Sequence, residues 1–254
     1  MRSNRAIRAL GVAAILGLGL VLGASAQGTT APAKGGEKTV EEAYLQESLE
    51  TMIIKEQSQA ENKDMKLVAL QYIKQALDGG RKNEEIRKSL EYLALETTMT
   101  VTRSAGLGRP TNDFPDIRAK ACEYLGEFPT VASKDALVKV TLGDREPMVL
   151  SAAIRSLGKI GMNDSDEVTQ VISYIVNRYD VLQPDNSLAF EALIAIERIA
   201  DRNGGIKDPA AIRAVMKIAT GNYINPVKTK AADVLSKLRK YSASASGGGT
   251  GSGK

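Results

Sequence analysis

The sequence predicts an all-α protein, a superhelical α-solenoid of about five helical hairpins. Three observations predict it. First, an alanine recurs in one setting: Ala69, Ala121, Ala153, Ala192 and Ala231. Four residues after each stands Ile73, Leu125, Leu157, Ile196 or Leu235, and four before stands Met65, Ile117, Val149, Leu188 or Val227. Leu70, Cys122, Ile154, Leu193 or Ala232 follows directly. This is the apolar face of a helix with a small residue at its middle, which lets a neighbouring backbone come close. Second, the apolar anchors recur at intervals of 52, 32, 39 and 39 residues, a period suited to two-helix repeats. Third, prolines and glycines fall where helices start and stop, and no segment alternates like a strand.

Ten helices are expected between two low-complexity ends. Thr39 and Glu42 form a capping box, followed at helical spacing by Val40, Leu45, Leu49, Met52 and Ile53. The second helix runs from about Lys63 to Leu77 and stops at Gly79-Gly80. Asn83 caps a third, through Ile86, Leu90 and Leu93 toward Arg103, and a loop spans Gly106 to Asp113. Pro115 opens the fourth, ending near Phe128. The fifth lies between Ser133 and Gly143, and the sixth between Pro147 and Gly161. The seventh begins near Asp164 and carries Val168, Val171, Ile172 and Ile175. The eighth spans about Asn186 to Ala200, Pro209 opens the ninth, and Pro226 opens the tenth, which ends near Lys240. The alanine faces belong to the even-numbered helices, so these are the second helices of five hairpins.

Two of these segments carry a resemblance. Asp116-Ile117-Arg118-Ala119-Lys120-Ala121-Cys122-Glu123-Tyr124-Leu125-Gly126 is similar to the second helix of a HEAT repeat. So is Val149-Leu150-Ser151-Ala152-Ala153-Ile154-Arg155-Ser156-Leu157-Gly158-Lys159-Ile160-Gly161. The eighth and tenth helices depart from it, with Glu197 and Ser236 where Gly126 and Gly158 stand. The resemblance covers roughly residues 38–241. It implies an α-solenoid that usually works as a protein-binding scaffold, and it implies no catalytic residue.

The ends are read differently. Arg2, Arg5 and Arg8 precede a short apolar run, Ala9 to Gly23, and Ala24-Ser25-Ala26 gives a small-x-small cleavage site. Residues 1–26 are therefore expected to be a signal peptide and 27–37 a flexible linker. Residues 38–241 form the repeat domain, and 242–254 a disordered Gly/Ser-rich tail. The expected location is the periplasm or the exterior, with no integral membrane span left after cleavage. Cleavage also changes the charge. The 34 basic residues fall to 31 against 30 acids, which leaves no bulk electrostatic case for nucleic acid.

Composition argues against an enzyme. With no histidine the usual general base and commonest zinc ligand are missing. The lone Cys122 lies on an apolar helix face and reads as a buried hydrophobe. The pairs Glu41-Glu42 and Glu84-Glu85 lie in first turns, where acids complement the helix dipole. Asn163-Asp164-Ser165-Asp166-Glu167 lacks the spacing of a calcium loop and reads as capping. The glycines and lysine of 248–254 match a phosphate-loop pattern but lack the strand and helix it needs. Gly106-Leu107-Gly108 reads as a turn. No catalytic residue, metal, cofactor or small-molecule substrate is expected.

What remains is a surface. On each second helix the residues two before and two after the anchor lie one turn apart, away from the core. They are Gln71 and Gln75, Glu123 and Glu127, Arg155 and Lys159, Ile194 and Arg198, Asp233 and Lys237. Toward the C-terminal half this row becomes basic, and Phe190 and Ile194 add an apolar spot beside Arg198. Arg155, Lys159, Phe190, Ile194, Arg198 and Lys237 are therefore the candidate protein-binding residues, suited to an acidic, partly hydrophobic segment. The alternative is a solvated face, with Phe190 and Ile194 packed on a neighbouring helix or on the tail. The function expected is that of an exported adaptor without catalysis. Its alternatives are a structural subunit of an envelope assembly and, more remotely, an enzyme of the HEAT-like lyase kind.

Overall fold

The structure is a computed structural model that describes residues 39–96, 111–181 and 184–246. The expected signal peptide, the linker, the Gly106-Leu107-Gly108 turn and the phosphate-loop match lie outside the described residues. Among those described there are ten helices: α1 (Val40–Gln59), α2 (Lys63–Asp78), α3 (Glu84–Leu95), α4 (Pro115–Leu125) and α5 (Val131–Gly143), then α6 (Pro147–Ile160), α7 (Glu167–Tyr179), α8 (Asn186–Asn203), α9 (Pro209–Thr220) and α10 (Asn225–Ser246).

The helix boundaries follow from cap chemistry. The Asn83 side chain accepts from the N–H of Ile86, Asp185 from Leu188 and Asp208 from Ala210. Each satisfies an amide that the first turn would leave orphaned. Pro115, Pro147 and Pro209 stand at the first helical position. Gly161 and Gly204 end α6 and α8 at φ 70° and 66°, a left-handed turn that glycine adopts without strain.

Six boundaries differ from expectation, each for a local reason. α4 ends at Leu125 rather than near Phe128, closed by Gly126, whose N–H donates to the Cys122 carbonyl oxygen. α3 stops at Leu95 instead of continuing toward Arg103, because Glu96 leaves the helix to meet the Lys66 ammonium at 2.9 Å. The residues beyond Glu96 on that expected extension lie outside the described ones. α5 starts two residues early, since Thr130 rather than Ser133 is the cap. α7 starts at Glu167, after Asp166 at φ 59°, and Asn163 Oδ1 reaches over to accept from the N–H of Thr169. α8 continues to Asn203, whose side chain donates to the carbonyl oxygens of Ile199 and Gly161. α10 continues to Ser246, into the segment expected to be a disordered tail.

Consecutive helices pair as α1–α2, α3–α4, α5–α6, α7–α8 and α9–α10. The odd helices stack in order as one layer and the even helices as the other. Helix contacts stay within a hairpin or between adjacent hairpins, which is solenoid connectivity. All five repeating alanines have no exposed surface. The anchors Ile73, Leu125, Leu157 and Ile196 are likewise fully buried, as are Ile117 and Val149. The pattern fails only at the two ends. Met65 in α2 is 44% exposed, Leu235 in α10 is half-buried, and Ala232 is exposed. A terminal hairpin lacks one neighbour, so positions that are covered elsewhere in the stack meet solvent there.

Candidate functional site

The second helices do present one surface. Arg155 and Lys159 project from α6 and Arg198 from α8, all exposed, because their helix positions are turned away from the buried Ala153, Leu157, Ala192 and Ile196. Between α4, α6 and α8 lies an open groove of about 670 Å³. It brings Arg155, Lys159 and Arg198 together and adds Arg202, against the carboxylates of Glu123, Glu127 and Asp201. Lys237 lies in a separate groove with Asp233, Lys240 and Tyr241. Phe190, 36% exposed, and the half-buried Ile194 do not line the groove that holds Arg198.

The cations are largely answered by carboxylates one repeat away. Arg155 Nη2 is 2.7 Å from Glu191 Oε1. Lys159 donates to Glu127. Lys237 is 2.7 Å from Asp201 and 3.4 Å from Glu197, and Lys230 is 2.5 Å from Glu197. These bonds tie α4 to α6, α6 to α8 and α8 to α10. The hydrogen bond from Lys159 holds the Glu127 carboxyl below the usual carboxylate range. Partial burial would raise the carboxyls of Glu197 and Asp201, but the facing lysines outweigh it and hold both low. Arg198 differs from the others. Its guanidinium makes no hydrogen bond or ion pair among the described residues, and it opens onto the groove.

Arg202, Glu191 and Asp201 escaped the sequence reading, which placed Glu127 in the row without its pairing. Arg202 stands one turn beyond Arg198, a signal that was available in the α8 sequence. It crosses to donate to the carbonyl oxygen of Ile160. Gly161 makes room for it, since a Cβ there would lie 2.6 Å from Arg202 Cδ. The repeat spacing of Glu127, Glu191 and Asp201 to their cations shows only once the helices are stacked.

Two further grooves extend the surface toward the N-terminal half. One, of about 380 Å³ between α2 and α4, is lined by Leu67, Leu70 and Tyr124. Another connects it to the basic groove, sharing Asp116 and Lys120 with the first and Glu123 and Arg155 with the second. The second helices thus carry a row of adjoining grooves, together called the trough, more apolar near α2 and holding four cations and three carboxylates near α8.

Of the trough's carboxylates, Glu127 and Asp201 pair with lysines and are held below their ordinary values. Cys122 lies outside the trough, fully buried, and burial pushes its thiol far up. Among the described residues no group of three or more Cys, Asp or Glu is placed to hold a metal ion. No described helix is long and apolar enough to cross a membrane.

Residues 110–178 match the protein family of HEAT repeats. No curated protein and no solved structure matches the chain. The matched segment spans α4 to α7 and contains both best-fitting second helices, and the flanking hairpins continue the same two-layer stacking. The segment from residue 110 to 178 is thereby identified as HEAT repeats.

Proposed function

We propose that this protein is an exported adaptor without catalytic activity that captures a partner protein along the trough of its second helices. HEAT repeats commonly serve as protein-interaction scaffolds, and a stacked, rigid array offers a long surface at little ordering cost. The observation that carries the reading is the α4–α6–α8 groove, where Arg198 stands unpaired among Arg155, Lys159 and Arg202. A guanidinium in that setting offers a planar pair of donors to a carboxylate. The ligand that fits is an extended protein segment with acidic side chains over α6 and α8 and apolar ones toward Leu67 and Tyr124. The basic amino-terminal segment with its small-x-small site supports export to the periplasm or the exterior.

The test is affinity capture with the tagged chain, with co-purifying proteins identified by mass spectrometry. The double variant Lys159→Glu/Arg198→Glu should lose the captured partner while keeping its helical circular dichroism. Equal capture by the variant places the site elsewhere.

A further inference from the structure

Helix α1 has two apolar stripes on opposite sides. Ile54 and Ser58 are buried against α2 and α3, and Thr51, Tyr44 and Val40 continue that row toward the amino end. Leu45, Leu49 and Met52 follow one another at i, i+4 and i+7 on the other side. Each keeps more than half of its surface exposed. A helix that is apolar on one side only needs one neighbour; one that is apolar on both sides needs two. Residues 40–49 are all exposed, and three turns of helix without packing are marginal in water. A terminal repeat of a solenoid ordinarily shows a polar outer face, and this one does not.

We propose that the outer stripe of α1 is a self-association surface, on which α1 of a second copy packs antiparallel about a two-fold axis. Leu49 occupies an a position of a heptad, and Leu45 and Met52 occupy d positions. Antiparallel pairing then sets Leu45 against the second copy's Leu49, and Leu49 against its Leu45, with Ser48 beside the axis. The charges select this direction. Glu41, Ser48 and Lys55 share the g position, and in an antiparallel pair g faces g. Glu41 therefore meets the second copy's Lys55, and the pair is made twice. A parallel pair would instead bring the Glu41, Glu42 and Glu47 ends together. Neither Glu41 nor Lys55 enters an ion pair among the described residues, so both are open to this contact.

The stripe points away from its own hairpin's core, so a second copy reaches it without displacing α2 or α3. Five glutamates on α1 oppose an anionic lipid surface as the occupant. Two such helices bury on the order of 1,000 Å², the lower end for stable interfaces, and a weak dimer with a dissociation constant on the order of micromolar is the expectation tested below. The trough of the second helices takes no part, and the inference stands independently of the adaptor reading.

Sedimentation velocity of the purified chain tests it. The wild type should pass from monomer to dimer with rising concentration, and Leu45→Glu/Leu49→Glu should remain monomeric. Lys55→Glu should weaken the dimer about tenfold by replacing two attractions with two repulsions. Glu41→Lys/Lys55→Glu should restore it. Should the leucine variant unfold, a second measurement serves: Ser48→Cys should cross-link to a dimer with a short bis-maleimide. Cys122 is buried and silent, and Thr220→Cys on α9 should not cross-link. A wild type that stays monomeric up to about 100 μM, well above a micromolar constant, overturns the proposal. So does a dimer that survives both leucine changes, or a Lys55→Glu defect that the second charge change leaves uncorrected.

Discussion

A Cβ built on Gly158 would stand 2.5 Å from the Cα of Ala195 and 2.8 Å from its Cβ. Helices α6 and α8 thus meet backbone to backbone at the centre of the stack. One hairpin earlier a Cβ built on Gly126 would lie 2.8 Å from Ser156 Oγ, a side-chain contact. The buried alanines fill the faces between helices, and these glycines set how near the second helices come.

Gly158→Ala should therefore destabilise the protein even though alanine is the better helix former. The obstacle is backbone, which cannot move aside as a side chain could. A loss of about 1–3 kcal/mol is expected from overpacking, against the gain of about 1 kcal/mol that the same change gives in an open helix. Urea titration checks it, with the midpoint falling and the slope unchanged. An unchanged or higher midpoint means that α6 and α8 are further apart than described here.

Lys66 is fully buried, 2.9 Å from Glu96 and 3.1 Å from the Ser58 carbonyl, with the Tyr92 ring 5.5 Å away. It joins α1, α2 and the end of α3. Lys66→Met alone, or Glu96→Leu alone, leaves a buried charge without its counterpart and should cost about 3–5 kcal/mol. The double change should recover most of that loss, since an apolar pair of similar volume needs no solvation. A double-mutant cycle in urea measures the coupling. Additive single effects would show that the two groups do not share one buried site.

The ladder of carboxylates between second helices sets an acid limit. Glu127, Glu197 and Asp201 are held below their ordinary values in the folded chain. A group with a lowered folded value stabilises the fold above its unfolded value and loses that contribution as pH falls through the folded one. The unfolded values lie near 4, at about 4.3 for Glu and 3.9 for Asp. The urea midpoint should hold steady from neutral pH down to about 5 and decline below about 4. Lys159→Met/Lys237→Met should partly flatten that decline, because Glu127 and Asp201 then lose their lysines while Glu197 keeps Lys230. An acid limb equally steep in the variant assigns the acid sensitivity to other groups.

Much of the fold was legible because its core obeys a single helical period. Ala69 through Ala231 mark the buried face, and Pro115, Pro147, Pro209, Gly161 and Gly204 mark helix ends by local backbone chemistry alone. What sequence missed was decided by tertiary contact. Glu96 ends α3 early because a buried lysine from another hairpin needs it. Met65 and Ala232 share the motif but stand at the ends of the array, where no neighbour covers them. For the surface, spacing was enough to place Arg155, Lys159 and Arg198 together. It did not reveal that Glu191, Glu127 and Asp201 answer the basic row across the repeat, since that depends on how neighbouring helices are offset. Phe190 and Ile194 were joined to the Arg198 site by their one-turn spacing, yet they fall outside its groove. Leu67 and Tyr124, which line the trough near α2, were not singled out.

The central claim is that the second helices form the capture surface. Hydrogen–deuterium exchange on the chain with and without its captured partner tests it most directly. Added protection is predicted in peptides from α4, α6 and α8 that carry Glu127, Lys159 and Arg198, with the odd-numbered helices unchanged. Protection confined to α3, α5, α7 and α9 would contradict it, because those helices form the opposite layer.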